Sequence, residues 1–388
     1  MDSPSPKVSI IVPNYNHDRF LAKRLQSILD QTFQDFEIIY LDDASVDQSD
    51  AVVEPFLPRI TQVVKNTTNS GSPFQQWNKG AKLARGQYLW IAESDDYADK
   101  HFLERLVDLL DRHPNVGLAY CQSWGVDEGD RILQSWKLNT DELDEERWQH
   151  DFVNNGKDEC RRFLLFKNTL PNASAILIRR CVYEQVGYAE ESLKLCGDWL
   201  TWIKILMQSD VAFTATPLNY FRTHEASVRA GSLKYLVFAE ESYRVLAHVL
   251  QQYSSVLNLP AETLSQVYEV LLDRWYEGAI AHRQDSPNPT HTRIYKLANR
   301  VDPMLRRRLL RKALADPRSA EIERLQEKVL NQRTRIEHLR SRLHETQQEL
   351  EGVRSRMAAM ETSKFWKLRK LWFGLKKTLK LTTQTEEE

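Results

Sequence analysis

Residues 7–16 read Lys7-Val8-Ser9-Ile10-Ile11-Val12-Pro13-Asn14-Tyr15-Asn16, a short β-branched apolar run that stops abruptly in polar residues. The same pattern returns twice. Phe36–Leu41 ends in Asp42-Asp43-Ala44-Ser45, and Tyr88–Ala92 ends in Glu93-Ser94-Asp95-Asp96. Ile60–Val64 and Val116–Cys121 are further runs of strand length. Between them lie helical patterns, with Phe20, Leu21, Leu25, Ile28 and Leu29 on one face and Phe102, Leu103, Leu106, Leu109 and Leu110 on another. Short apolar strands separated by crossover helices predict an α/β fold with a parallel sheet covered on both faces. Ligands of such sheets bind beyond the carboxyl ends of the strands, where these three polar ends fall.

Outward from this core the pattern changes. Residues 123–170 are mostly acidic and polar, with Trp124, Trp136 and Trp148 scattered among them. A strand at Ser174–Ile178 and a helix from near Gly197 resume the α/β alternation as far as Arg222. Residues 232–315 read as helices broken at Asn258-Leu259-Pro260 and Ser286-Pro287-Asn288-Pro289. From there Ile322, Val329, Ile336, Leu343, Leu350 and Met357 recur at seven-residue steps. Leu325, Gln332, Leu339, Thr346, Val353 and Met360 follow each of them by three. Such a seam, held in phase with charged flanks, predicts a long coiled coil and hence a homodimer. Ser363–Leu381 carries seven Lys or Arg and no acid around a stripe of Phe365, Leu368, Trp372, Leu375 and Leu379. That composition suits an anionic membrane surface. The stripe can equally pack on the protein itself.

The net charge of −1 over 388 residues gives no global attraction for nucleic acid. Cys121, Cys160, Cys181 and Cys196 form no C-x-x-C pair and read as reduced thiols of a cytoplasmic protein. The N-terminus has no basic and apolar leader pattern, and no apolar run approaches the length of a membrane span.

Each polar strand end has an ordinary reading as a helix cap. Capping uses one side chain, however, and two adjacent carboxylates occur twice. Paired carboxylates at a strand end suit a hard divalent cation, Mn²⁺ or Mg²⁺, shared with substrate phosphates. Neither G-x-G-x-x-G nor a P-loop occurs, so dinucleotide oxidoreductases and P-loop NTPases find no support.

Taken in order, Lys7–Asn16, Leu41–Asp47, Asn69–Asn78 and Gly86–Asp96 resemble glycosyltransferase family 2. The match continues through Pro171-Asn172-Ala173-Ser174, Gly197-Asp198-Trp199 and Tyr220-Phe221-Arg222-Thr223-His224, over roughly residues 5–230. The resemblance implies a GT-A fold, Rossmann-like and mostly parallel. It implies an inverting transferase that moves a sugar from a nucleotide diphosphate donor to a saccharide or lipid-linked hydroxyl. Pro13, Tyr15 and Asp43 would then hold the base and ribose, Asp95 would lie near the ribose, and Asp96 would bind the metal. Asp198 would be the catalytic base and His224 would reach the metal or diphosphate. Asn78 and Lys79 would also contact the donor; Trp77 stands where the family often has Arg before the Asn matching Asn78, so Lys79 becomes the local source of positive charge there. Asp198 can alternatively cap a helix over Trp199–Met207, and His224 can be an ordinary loop histidine. Arg274-Trp275 lacks the Gln expected at Leu271, which argues against a processive synthase.

The expected organisation is a GT-A domain over 1–230, a helical domain over 231–317, a coiled coil over 318–362 and a basic tail over 363–388. The expected location is the cytoplasm, with the tail at the inner face of the membrane. Two rival readings remain at this point: an idle α/β domain on a coiled-coil scaffold, and a nucleotidyltransferase. The second normally carries a Gly-rich loop after its first strand, and Asn14–Arg19 contains no glycine. Trp136, Trp148, Trp199 and Trp202 are either sugar-stacking platforms or core.

Overall fold

The strands, in chain order, are β1 (Val8–Asn14), β2 (Phe36–Asp42), β3 (Gln62–Lys65), β4 (Tyr88–Ile91), β5 (Tyr97–Ala98), β6 (Val116–Val126), β7 (Ile132–Ser135), β8 (Phe152–Asn154), β9 (Ile176–Arg179) and β10 (Asp210–Arg222). Interleaved with them are α1 (Asp18–Leu29), α2 (Ser49–Val53), α3 (Pro73–Leu83), α4 (Phe102–Arg112), α5 (Gly156–Glu159), α6 (Arg180–Gln185) and α7 (Gly197–Leu206). The computed structural model describes residues 5–170, 172–224, 234–281, 289–315, 317–362 and 364–378. Pro171, residues 286–288, Ser363, Leu379 and Leu381 of the segments quoted above lie outside these, as do the side chains of Ile322, Leu325 and Val329.

Every residue of β1 is buried, as a continuous apolar run between two neighbours requires. It pairs in parallel with β2 and with β4, in a register that sets Asn14 beside Asp42. β3 extends this parallel half beyond β2. The sheet order is β3-β2-β1-β4-β9-β6-β10-β5.

The sheet is mixed, with a parallel half from β3 to β4 as the expected mostly parallel fold requires. β9 lies antiparallel between β4 and β6, although β6 and β10 are parallel to each other. The reason is in the connection. β9 is reached through the polar stretch after β6 rather than through a crossover helix, and only the crossover obliges a parallel return.

One face of the sheet buries Leu21, Leu25 and Ile28 of α1 and Leu103, Leu106 and Leu110 of α4. On the other, α3 approaches β1 so closely that a Cβ on Gly80 would lie 2.4 Å from Ile11 Cγ2. A Cβ on Gly197, at the start of α7, would lie 2.4 Å from the Phe74 ring of α3. Trp148, Trp199 and Trp202 are core residues in this packing, none more than 2% exposed. Trp136 sits edge-on to Phe221 at 4.9 Å.

The chain divides into two compact units, Met1–Arg308 and Leu309–Glu388. Helices α8 (Lys234–Leu257), α9 (Ala261–Ala281) and α10 (Pro289–Val301) therefore belong to the same unit as the sheet. Arg161 Nε donates to Leu257 O of α8, and an Arg274 guanidinium N–H of α9 donates to Phe166 O. α11 (Leu305–Ala315) leads to the second unit. There α12 (Pro317–Thr362) is one helix of 46 residues, followed by α13 (Lys364–Thr378). Ile336, Leu339, Leu343, Leu350, Val353, Met357 and Met360 of the seam are all exposed in the single chain. Among the described residues no helix is long and apolar enough to cross a membrane.

Candidate active site

The ends of β1 and β2 are locked together by side chains. Asn14 Nδ2 donates to Asp42 Oδ1 (3.2 Å), Ser45 Oγ (3.1 Å) and Ser49 Oγ (2.9 Å). The chain then turns through the left-handed region at Asn16 (φ 55°) and Ala44 (φ 63°). For alanine that conformation costs about 1 kcal/mol or more, a form of strain that concentrates at ligand-binding sites. Asn16 steadies its own turn by accepting from Val46 N at 2.8 Å. Pro13 is buried within β1, whereas Tyr15 is 44% exposed at the lip and free to lie against a flat ring.

Asp43 is 5% exposed and organises the loop that precedes α3. Its carboxylate accepts from Asn66 Nδ2 (2.6 Å), Ser70 N (3.0 Å), Ser70 Oγ (2.7 Å) and Gln76 Nε2 (2.9 Å). Lys79 Nζ donates to Asn66 Oδ1, so lysine, asparagine and aspartate form one chain of contacts. Asn78 stands apart from this. Its Nδ2 donates to Ala189 O and Glu191 Oε1, and its Oδ1 accepts from Tyr183 Oη and Ala189 N, all at 2.9 Å. With every amide position engaged inside the protein, Asn78 is a strut for residues 183–191, and the expected donor contact finds no free atom.

The loop after β4 holds the concentrated charge. Behind it lie two buried guanidiniums that the sequence reading did not single out. Arg24 donates from Nε to Glu93 O (2.7 Å) and from Nη2 to Ser174 Oγ (2.9 Å). Arg222 donates from Nε to Asp95 O (2.8 Å) and from Nη1 to Asp127 O (2.7 Å), and its backbone N–H donates to Asp96 Oδ1 (2.9 Å). Glu93 accepts from Trp77 Nε1 at 2.7 Å, so Trp77 is tied to the acidic loop. Burial, and then the charge of Asp95, push the Glu93 carboxyl up to about 8 and that of Asp96 up to about 7. Asp95 moves the other way. Burial alone would raise it, but the hydrogen bond with His224 and the charges of His17 and His224 outweigh burial and hold it low.

Adjacent in sequence, Asp95 and Asp96 point to different surroundings. Asp95 Oδ2 lies 3.1 Å from His224 Nε2, and the two form a group with His17 whose ligand atoms are all within 4.8 Å of one another. A carboxylate and two imidazoles are a sound donor set for a divalent cation. Burial, its largest influence, lowers the pKa of His17. Asp96, read from the sequence as the metal residue, is not in this group. It is 2% exposed and faces Arg222 N, Asn172 Nδ2 (3.4 Å) and the Arg24 guanidinium (4.0 Å).

Asp198 is the second residue of α7, whose N-cap position is Cys196. Negative charge is favoured in that first turn by the helix dipole. Its carboxylate accepts from Trp199 N (2.7 Å) and Asn168 Nδ2 (3.0 Å). Asn168 thus touches Asp198, and Asn172, four residues on in sequence, touches Asp96. The approach to α7 is clamped from α8, where Glu241 accepts from the backbone N–H of Lys194 (2.8 Å), Leu195 (2.8 Å) and Cys196 (2.9 Å). Neither Glu241 nor His17 carried a sequence signal beyond its position.

Comparison with known proteins bears on the fold and the family. Residues 9–186 match the family described as glycosyl transferase family 2. An uncharacterised glycosyltransferase of Rickettsia typhi, RT0329, is 28% identical over 244 residues, covering 62% of this chain and 70% of that protein. Over 110 residues the chain is 34% identical to the poly(ribitol-phosphate) beta-N-acetylglucosaminyltransferase TarS of Staphylococcus aureus, which is 28% of this chain and 19% of TarS. The crystal structure of TarS residues 1–349 superposes with a TM-score of 0.50 at 21% identity, covering 71% of this chain and 72% of that one. The mannosyltransferase PcManGT of Pyrobaculum calidifontis, solved with GDP-Man and Mn²⁺, gives a TM-score of 0.50 at 16% identity, covering 84% of this chain and 89% of that one. The sheet and its flanking helices are a GT-A fold, and residues 9–186 carry a glycosyltransferase family 2 domain.

Proposed function

We propose that this protein transfers a sugar from a nucleotide diphosphate donor to an acceptor hydroxyl with inversion at the anomeric carbon. The observation that carries the reading is the group of Asp95, His17 and His224 beside the ends of β1, β2 and β4, with Asn172 touching Asp96 and Asn168 touching Asp198. The donor base and ribose lie against Pro13, Tyr15 and the Asp43 loop, with Lys79 supplying positive charge through its place beside Asn66. Asp95 and His224 hold the divalent cation, Mn²⁺ or Mg²⁺, in place of the Asp96 and His224 pair expected from sequence. When bound, that cation neutralises charge on the departing diphosphate. Asp198 accepts the acceptor hydroxyl's proton as the oxygen attacks. The contacts of this carboxylate with Asn168 and with the N-terminus of α7 support that role.

The acceptor is a saccharide or lipid-linked glycan of the cell envelope, a class suggested by the poly(ribitol-phosphate) acceptor in the name of TarS. The seam of α12 pairs two copies of the chain. The six basic residues of α13 and its exposed Phe365, Leu368, Leu371, Trp372 and Leu375 bring the enzyme to the cytoplasmic face of the membrane.

Asp198→Asn tests the assignment. Folding and donor binding should persist while turnover falls about 10²- to 10⁴-fold, the range for losing a general base. Turnover close to wild type would remove Asp198 from the chemistry. Failure of the wild type to transfer or hydrolyse any nucleotide sugar would support an idle scaffold instead.

A further inference from the structure

We infer that His17 is a third protein ligand of the cation, making the site a two-histidine, one-carboxylate face that is assembled before any nucleotide arrives. This rests on the metal reading above and extends it to a residue outside the motif segments.

Geometry comes first. Ligand atoms about 2.1 Å from one octahedral centre lie about 3 Å apart when adjacent and about 4.2 Å apart when opposite. The His17, Asp95 and His224 atoms all lie within 4.8 Å of one another, so a closing shift of about half an ångström brings them around one ion, and the 3.1 Å between His224 Nε2 and Asp95 Oδ2 is the adjacent spacing. The two imidazoles meet edge to face, with centroids 5.4 Å apart and planes at 89°, so neither blocks the other.

Orientation comes next. A metal-binding histidine usually has its second ring nitrogen fixed by a hydrogen bond. His17 Nδ1 lies 2.9 Å from Ser94 Oγ, and donation to that hydroxyl leaves the lone pair on the other ring nitrogen. Ser94 is 1% exposed and sits between Glu93 and Asp95, so the loop that carries the carboxylate ligand also aims this imidazole. His224 Nδ1 is buried and has no partner among the described residues, which makes His17 the better-oriented ring. The backbone at His17 is set by the Asn16 turn, whose N–H donates to Ser45 Oγ at 3.0 Å.

The consequence is chemical. A site for Mg²⁺ normally offers one or two carboxylates and relies on substrate phosphates for the rest. Three protein ligands, two of them imidazoles, hold a cation without phosphate and favour Mn²⁺ and Co²⁺ over Mg²⁺.

The test uses the full chain and metal alone. Mn²⁺ is titrated without nucleotide and followed by loss of the free-ion EPR signal, with Co²⁺ absorption as a second readout. Wild type should bind one Mn²⁺ per chain at this site. His17→Gln should weaken that binding at least about tenfold, the loss found when even a group behind a ligand is removed. Its metal-free unfolding temperature should be unchanged, and its preference for Mn²⁺ over Mg²⁺ should narrow. Ser94→Ala should shift binding in the same direction by less. If Asp95→Asn and His224→Gln abolish Mn²⁺ binding but His17→Gln does not, His17 is no ligand and the metal reading stands. If none of the three changes Mn²⁺ binding, or if wild type binds no Mn²⁺ even with a nucleoside diphosphate, the metal reading falls as well. If wild type binds Mn²⁺ only with nucleotide present, the pre-assembled site is refuted.

Discussion

Glu241→Gln probes a link that lies outside the family-matched segment. The carboxylate is 4% exposed and spends both oxygens on the chain entering α7: Oε1 takes Lys194 N–H, and Oε2 takes Leu195 N–H and Cys196 N–H. Glutamine keeps one oxygen. Placed to retain the two bonds at Leu195 and Cys196, it turns its NH₂ toward Lys194 N–H, donor against donor. One hydrogen bond to a charged group is lost, about 1.5–3 kcal/mol, and the two that remain become neutral and weaker. Relief from burying a charge offsets part of this. The exposed position of Lys194 lets water reach its N–H, so the net cost should be about 2–3 kcal/mol. At about 2–4 °C per kcal/mol for a domain of this order, the melting temperature should fall by about 4–12 °C. The same change loosens the start of α7 and so the position of Asp198, while the ends of β1 and β2 are untouched. Turnover should therefore fall with little change in donor KM. Glu240→Gln, one residue earlier and paired with the exposed Arg293, is the control and should cost about 1 kcal/mol or less. A Glu241→Gln protein that melts and turns over like wild type would show that the clamp does not position α7.

Two further outcomes follow from other parts of the chain. Glu37 accepts from Ser9 Oγ (2.6 Å), Arg85 N (2.8 Å) and Arg85 Nε (2.9 Å), and although burial alone would raise its pKa, these bonds hold it below the usual range. A depressed carboxyl stabilises the fold above its unfolded pKa of about 4.3 and loses that contribution as pH falls through the lower folded value. Glu37→Gln should thus flatten the acid side of a urea-stability profile between about pH 5 and pH 3, and an unchanged slope there would refute the account. Removing residues 363–388 should leave the oligomer intact by light scattering but reduce binding to anionic vesicles. Wild-type binding should itself weaken as salt shortens the Debye length below about 8 Å. Equal vesicle binding by both proteins would mean that α13 is not the membrane contact.

Much of the fold was legible because the runs at Val8, Phe36 and Tyr88 are apolar on both faces and end in polar turns. Those signals are local and survive any packing. The direction of β9 was not legible, since Ile176–Arg179 reads the same in either direction and its placement depends on the non-local pairs Leu89↔Ile178 and Leu118↔Ile178. Helices α8 to α10 read as a separate domain because the pattern breaks after Arg222, yet they fall in the same compact unit as the sheet. The buried contacts of Glu241 and Arg274 that tie them there have no sequence periodicity.

The site was legible in its residue types and less so in their directions. In a turn, successive side chains leave the backbone on different sides, so Asp95-Asp96 cannot both face the same ligand. The sequence offers two identical carboxylates and no means to choose between them. What chooses is the set of partners brought in from far along the chain. Arg222 N–H and the Arg24 guanidinium draw Asp96 inward, while His224 and His17 meet Asp95. The same logic separates Asn78 from Lys79: one is consumed by Tyr183 and Ala189, and the other faces the Asp43 loop. Burial then gives the two aspartates opposite tendencies. Asp96, enclosed and repelled by its neighbour, is raised to about 7, and Asp95 stays low. Asp95, which faces the two imidazoles, is therefore the residue on which the proposed cation site draws, while Asp96 is turned toward Arg222 and Arg24.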